Sequence, residues 1–117
     1  MPPESAPSSH RLVFLKLGGS LITDKTSAHS ARDETIARLA REVRRALLRQ
    51  PELRLVLAHG SGSFGHWEAA QYGTRKGVST QSQWRGFAAV AAAAARLNRM
   101  VADAFLREGV PVLSIAP

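Results

Sequence analysis

Short apolar runs alternate with an amphipathic segment in the first half of the chain. Leu12–Leu15 and Leu53–Ala58 are nearly continuous apolar runs, a pattern typical of strands buried on both faces of a parallel sheet. Between them, Ile22–Arg32 is polar and predicts a loop, and Ser30–Asp33 predicts a capping box. The following residues repeat at helical spacing and predict an amphipathic helix that ends at Pro51. Its apolar stripe is Ile36, Leu39, Ala40, Val43 and Leu47.

The second half of the chain predicts two further helices and a strand. A short helix is expected to begin near Phe64 or Gly65, and a long one to run over about Gln81–Glu108, capped by Gly109. The long helix carries a predicted apolar stripe of Trp84, Phe87, Ala91, Ala94, Leu97, Val101 and Phe105. Val110–Ile115 reads as a third strand. This β-α-β-α-β order predicts an α/β fold, a mostly parallel sheet with helices on both faces.

Glycine-rich turns follow the first two predicted strands. We call Lys16–Ser20 (KLGGS) the first glycine turn and His59–His66 (HGSGSFGH) the second glycine turn. Glycine permits a sharp turn and close approach to a ligand, and successive backbone amides there form a cradle for anions. Ligands of parallel sheets bind at the carboxyl ends of the strands. With Lys16, Lys25 and His66 beside them, the two turns predict a site that holds two phosphates at once, as phosphoryl transfer requires.

Other kinds of site are disfavoured by the motifs that the chain lacks. It has neither a P-loop nor a strand-linked dinucleotide fingerprint. Ser61 and Ser63 do not satisfy the nucleophile-elbow pattern, and no Asp-then-His pair follows them, which argues against a hydrolase. His59 and His66 lack a third ligand and the spacing of a zinc site, so no metal-ligating residue is predicted. For His59 we expect a packing role.

Composition and charge restrict the class of protein. The chain has 117 residues, enough for one domain, and its net charge is +7. The arginines are scattered along the sequence, which favours a basic surface with a local anion site over a nucleic-acid binder. It has no cysteine, so disulfides are excluded. We expect a disordered tail over residues 1–10 and a domain over 11–117. The absence of a secretory signal and of a membrane-spanning stretch predicts a cytoplasmic protein without membrane partners.

The two glycine turns, together with Asp24–Lys25, resemble the amino acid kinase superfamily. The Lys-x-Gly-Gly-Ser turn is shared across that superfamily, whereas the ending Phe64–His66 is similar to isopentenyl phosphate kinases and the related fosfomycin kinases. Members are much longer than this chain, so the resemblance covers their N-terminal, phosphate-acceptor-binding half. The adenine-binding and magnesium-organising residues would lie in the other half.

The resemblance implies a role for each motif residue. Those that would line the ATP phosphates are Lys16, Gly18, Gly19, Ser20 and Ser61. Those that would hold the acceptor phosphate are Gly60, Gly65 and His66. Lys25 would stabilise the charge on the transferring phosphoryl group, and Lys16, Lys25 and His66 would form the catalytic set. The implied cofactors are ATP and Mg²⁺, and the implied partners are a small phosphorylated substrate and, at full length, a second copy in a homodimer.

The resemblance implies phosphorylation of isopentenyl phosphate to the diphosphate, a step of isoprenoid biosynthesis. The alternatives are another kinase of the superfamily, such as a fosfomycin kinase, and an inactive phosphate-binding fragment. A prenyl tail needs an apolar wall, for which the candidates are Tyr72, Trp84, Phe87 and Val90. We expect residues 1–117 alone to be marginally stable, prone to association and inactive, because the sheet would end at an unpaired edge.

Overall fold

The computed structural model describes residues 9–115. Most of the predicted tail of residues 1–10, and residues 116–117, lie outside the described residues. In chain order the elements are β1 (Arg11–Leu17), α1 (Gly19–Ile22), α2 (Asp33–Arg49), β2 (Leu53–His59), α3 (Gly62–Tyr72), a 3₁₀ turn (Thr74–Lys76) and α4 (Gln81–Arg107).

Strands β1 and β2 pair in parallel, with α2 as the connection between them. Their register runs from Arg11 opposite Leu53 to Leu17 opposite His59. Both strands therefore end at the same edge of the sheet, and the two glycine turns leave from that edge side by side. The predicted α/β fold with a parallel sheet is confirmed.

In residues 9–115 the helices α2 and α4 pack on one face of the sheet, whereas helices on both faces were predicted. Leu55 and Leu57 on that face pack against the core. On the other face Leu12, Phe14 and Val56 are 58%, 74% and 43% exposed. The apolar stripes of α2 and α4 meet in a single core, which explains why they cover the same face. That core comprises Leu17, Ile22, Ile36, Ala40, Val43, Phe64, Ala93, Leu97, Val101, Ala104, Phe105 and Val110.

Helix α2 begins without the predicted capping box at Ser30–Asp33. Its N-cap is Arg32, which makes no side-chain capping hydrogen bond. The preceding segment is instead held in an extended conformation, because Thr23 forms an isolated bridge with Ala31 and the Asp24 amide donates to the carbonyl of Ser30 at 2.8 Å. This pairing places Ser30 two residues before the N-cap, so its side chain does not serve as the cap.

Helix α4 begins with a capping box. The Gln83 amide donates to Thr80 Oγ1 at 3.2 Å, and the Thr80 amide donates to Gln83 Oε1 at 3.1 Å. The bounds of the helix agree with the prediction. The first half of the predicted apolar stripe is wrong, because Trp84 and Phe87 are not buried but 58% and 54% exposed. Here α3 packs on α4 at Gly86, where a Cβ would overlap Tyr72, and this contact turns the two aromatic side chains outward.

The segment after α4 is not the predicted third strand. Residues 110–115 form no strand, although Val110 is buried and Val112 packs against the core. The segment runs beside β2 across a cleft of about 210 Å³ lined by Leu55, Leu57, Val110, Pro111 and Val112. Pro111 has no amide hydrogen to donate to a strand ladder. The apolar run therefore packs on the core by its side chains without pairing its backbone.

Candidate functional site

The two glycine turns touch each other through their backbones. A Cβ placed on Gly19 would lie 2.5 Å from the Gly62 nitrogen, and one placed on Gly60 would lie 2.8 Å from the Gly19 nitrogen. Both distances are shorter than any real Cβ contact, so only glycine fits. The Gly60 amide also donates to the carbonyl of Leu17 at 2.9 Å. The sequence-predicted convergence of the turns is therefore present as direct backbone packing.

Thr23 links the two turns and was not identified as a site residue from the sequence. Its side chain is completely buried; Oγ1 donates to the carbonyl of Gly19 at 2.6 Å and accepts from the Ser63 amide at 3.1 Å. Gly62, with φ of +49°, leaves room for this hydroxyl, because a Cβ there would overlap it. One buried hydroxyl thus fixes the first turn against the start of α3. Its partner lies 40 positions away, so local sequence carries no signal for it.

The start of α3 is tightly packed. Ser63, Phe64 and Gly65 are buried, and a Cβ at Gly65 would overlap the Ser61 side chain. Ser63 is 7% exposed, and its buried hydroxyl has no hydrogen-bond partner among the described residues. The first amides of a helix lack partners within it and favour anions. At this end of α3 the Ser63 and Phe64 amides already have partners, so what combines with the close backbone approach is the unpaired Ser63 hydroxyl.

The three basic residues predicted to act in the site are all exposed. Lys16 lies near the end of β1 opposite Ala58, Lys25 lies in the loop after α1, and His66 lies in the second turn of α3. None of the three side chains makes a hydrogen bond or ion pair with another part of the described chain. Their side chains are thus available to an anionic ligand, and their convergence on one remains a prediction.

The loop that carries Lys25 is anchored at both ends. A hydrogen bond from the Thr26 hydroxyl at 2.7 Å, a second from the Thr26 amide at 2.9 Å and the nearby Arg32 hold the pKa of Asp24 below its usual range. Arg32 Nε donates to the carbonyl of Thr23 at 2.9 Å. These contacts order the loop where it leaves the first glycine turn.

The far end of the same loop docks on α3 through His29. This residue has a φ of +51°. Its ring lies 5.5 Å from that of Phe64, and Nε2 lies 2.9 Å from Glu68 Oε1. Despite this short distance, Nε2 makes no hydrogen bond of regular geometry within the described residues. Glu68 lies two residues after His66, so the loop contacts the same helix that carries His66.

His59 does more than the packing expected of it. Nδ1 lies 2.9 Å from the carbonyl oxygen of Gly60, and Nε2 lies 3.0 Å from Asn98 Nδ2 on α4. The Ser114 hydroxyl in turn donates to Asn98 Oδ1. A chain of side-chain contacts therefore joins the second glycine turn to α4 and to the segment that follows it.

Exposed aromatic side chains lie on α3 and α4. The rings of Trp84 and Phe87 pack edge to face at 5.9 Å, and Trp67 on α3 is 57% exposed. Tyr72 and Val90, also predicted for the apolar wall, are half-buried. The helices thus offer an apolar surface, and its use by a ligand remains a prediction.

Residues 9–115 contain no group of three His, Cys, Asp or Glu side chains that could hold a metal ion. Within the same residues, no helix combines the length and the hydropathy needed to cross a membrane.

Comparison with known proteins identifies similar chains. The family described as the amino acid kinase family matches residues 11–117. The isopentenyl phosphate kinase of Methanothermobacter thermautotrophicus is 38% identical over 111 residues, covering 91% of this chain and 40% of that protein. The fold is similar to solved X-ray structures of isopentenyl phosphate kinase, with a TM-score of 0.76 and 35% identity over 90% of this chain and 43% of that one.

A second solved structure, a product complex of the Thermoplasma acidophilum isopentenyl phosphate kinase, matches with a TM-score of 0.72 and 32% identity over 85% of this chain and 40% of that chain. The chain therefore spans about 40% of the length of the relatives it matches.

Proposed function

The chain belongs to the amino acid kinase family, and on that premise we propose that it supplies the acceptor-binding part of an isopentenyl phosphate kinase. In the reaction a phosphate oxygen of isopentenyl phosphate attacks the γ-phosphorus of ATP. The bond from that phosphorus to the β–γ bridging oxygen breaks, which yields isopentenyl diphosphate and ADP. A relative that is 38% identical is named isopentenyl phosphate kinase, and the geometry of the two glycine turns is compatible with this reaction.

The observation that carries the proposal is the backbone contact between the two glycine turns. A phosphate on each turn can approach the other because Gly19 and Gly60 pack without side chains between them. The nucleotide phosphates would be held by Lys16, Gly18, Gly19, Ser20 and Ser61. The acceptor phosphate would be held by Gly60, Gly65 and His66. The turns would bring the reacting oxygen and phosphorus together, and such positioning lowers the barrier by removing translational freedom in advance.

The basic side chains would supply the electrostatic part of catalysis. Phosphoryl transfer proceeds through a loose transition state, and catalysis depends on positioning and on neutralising charge that develops on the transferring group. Lys25 sits on a loop anchored by Arg32 and by His29, which would hold its ammonium near that group. Lys16 would neutralise the nucleotide, and His66 would donate to the acceptor phosphate.

The apolar side of the acceptor would lie against the exposed aromatic surface of α3 and α4. Trp84 and Phe87 present their rings outward rather than to the core. A short prenyl chain gains about 0.8 kcal/mol for each buried methylene. Such a surface favours an isoprenoid acceptor over a compact polar one such as a fosfomycin-like phosphonate.

Magnesium would be supplied with the nucleotide. The described residues offer no cluster of metal ligands and so do not fit a resident ion.

A chimaera tests the proposal. Residues 11–117 would replace the matching N-terminal part of the M. thermautotrophicus relative, and ³¹P NMR would follow ATP-dependent phosphorylation of isopentenyl phosphate and of fosfomycin. We expect turnover of isopentenyl phosphate that His66→Ala reduces by about tenfold or more, because a hydrogen bond to a charged group contributes about 1.5–3 kcal/mol. Gln71→Ala, an exposed change on the same helix, is the matched control. A folded chimaera that phosphorylates only fosfomycin, or neither acceptor, would contradict the proposal.

A further inference from the structure

The hydrogen bonds around His59 select one neutral tautomer of its ring. Asn98 Nδ2 lies 3.0 Å from His59 Nε2, an orientation that agrees with the Gly60 carbonyl oxygen beside Nδ1, because a carbonyl oxygen can only accept. An amide nitrogen can only donate, so Nε2 must accept and carry no proton. The proton is then on Nδ1, which donates to the carbonyl oxygen of Gly60 at 2.9 Å.

The consequence for the site comes from the peptide bond that follows. The carbonyl of Gly60 and the amide of Ser61 belong to one planar trans peptide unit, so they point in opposite directions. Holding the carbonyl toward His59 therefore turns the Ser61 N–H away from the imidazole. In the described part of the chain, the Ser61 amide donates no hydrogen bond. It is an oriented, unused donor at the junction of the two glycine turns.

Gly60 is held from its other side as well. Its own amide donates to the carbonyl of Leu17 at 2.9 Å, and its Cα packs against Gly19. Glycine has more freedom to rotate than any other residue. Without the His59 contact, the peptide between Gly60 and Ser61 would be the least restrained part of the second glycine turn.

We propose that His59 is a positioning residue that aims the Ser61 amide at a phosphate group, with the Gly60 carbonyl oxygen and Asn98 Nδ2 together favouring one tautomer of its ring. The inference rests on the proposed function, because the ligand is the polyphosphate of the nucleotide. It gives α4, through Asn98, an indirect influence on phosphate binding at the second glycine turn.

The first experiment reads the tautomer in the unmodified chain. Long-range ¹H–¹⁵N NMR at mildly alkaline pH separates a protonated ring nitrogen from an unprotonated one. We expect a protonated Nδ1 and an unprotonated Nε2 for His59, and a mixture of tautomers in Asn98→Ala. Gln50→Ala, which removes an exposed amide at the end of α2, should leave the signals unchanged. A protonated Nε2 in the unmodified chain would overturn the proposal without any variant.

The second experiment uses two matched variants of His59 and inorganic tripolyphosphate as the probe. An Asn at position 59 places an amide nitrogen near the position of Nδ1 and can still donate to Gly60, whereas a Gln reaches the position of Nε2 and cannot. The shift of the Ser61 amide would be followed during titration. We expect His59→Gln to raise the dissociation constant about tenfold, which corresponds to about 1.4 kcal/mol, and His59→Asn to raise it less than about threefold.

The outcomes separate this inference from the proposed function. Equal dissociation constants for the two His59 variants, or no movement of the Ser61 amide, would overturn the positioning role. Turnover of isopentenyl phosphate by the chimaera would still support the kinase in that case. A chimaera that fails to turn over, combined with a Ser61 response that depends on His59, would support the positioning role and contradict the kinase.

Discussion

Replacing Gly62 by alanine should destabilise the chain through two separable effects. The first is the backbone conformation: φ is +49°, and a left-handed conformation costs an L-residue about 1–2 kcal/mol. The second is steric: the new methyl group would displace the Thr23 hydroxyl and lie 2.5 Å from the carbonyl oxygen of Gly19. Thr23 makes two hydrogen bonds that join the turns, and each contributes about 0.5–1.5 kcal/mol net.

Together these effects predict a loss of about 2–5 kcal/mol in the free energy of unfolding. That is a large part of the about 5–15 kcal/mol typical of a folded domain. Gly73→Ala is the matched control, because Gly73 has φ of +66° with open space around its Cβ position; it should lose only the backbone part. Gly18→Ala, with φ of −63° and open space, should be neutral or stabilising by about 0.4–1 kcal/mol.

Urea unfolding followed by the helical circular dichroism signal measures all three variants. The entropy that each alanine removes from the unfolded chain is similar, so it cancels when the variants are compared. We expect Gly62→Ala to be less stable than Gly73→Ala by about 1 kcal/mol or more. If the two variants unfold at the same free energy with unchanged denaturant dependence, the close packing of the two turns does not contribute to stability, and the reasoning fails.

Three further predictions concern the first glycine turn and its loop. Thr23→Val should lower the free energy of unfolding by about 1–3 kcal/mol, because the Gly19 carbonyl and the Ser63 amide lose their hydrogen-bond partner. Thr35→Val on α2 is the control, and equal urea midpoints for the two variants would contradict the role of the Thr23 hydroxyl. Thr26→Val should raise the pKa of Asp24 toward its usual value in a carboxyl ¹³C NMR titration, and an unchanged pKa would refute the assigned cause. Because folding depresses that pKa, the stabilisation by this carboxylate is present above about pH 4 and is lost as the pH falls through the folded-state pKa. Lys25→Ala in the chimaera should reduce kcat far more than it raises KM for ATP, since its partner charge develops in the transition state; a pure KM effect would assign Lys25 to ground-state binding.

The elements that sequence patterns predicted well are those with strong local periodicity. Both strands, α2 and α4 follow from apolar runs and helical spacing, and the parallel pairing follows from the helix between the strands. The two glycine turns were placed correctly at one edge because parallel strands end on the same side. Their location required no knowledge of tertiary contacts.

The features that were missed depend on residues far apart in sequence. Thr23 lies in a polar segment that reads as loop, and only its contact with Ser63 shows its role. The outward position of Trp84 follows from the packing of Tyr72 on Gly86. The segment Val110–Ile115 has the composition of a strand, but strand formation also needs a backbone partner, which composition cannot supply.

The claim that one edge of the sheet holds two phosphates is tested most directly by mapping both ligands on the ¹⁵N-labelled chain. We predict that ATP shifts the amide NMR signals of the first glycine turn and of Ser61, whereas isopentenyl phosphate shifts the amide signals of Gly60, Gly65 and His66. With both ligands present, the two sets of shifts should persist together. Ligands that compete for one set of amides, or that shift residues around the cleft at Val112 instead, would contradict the account.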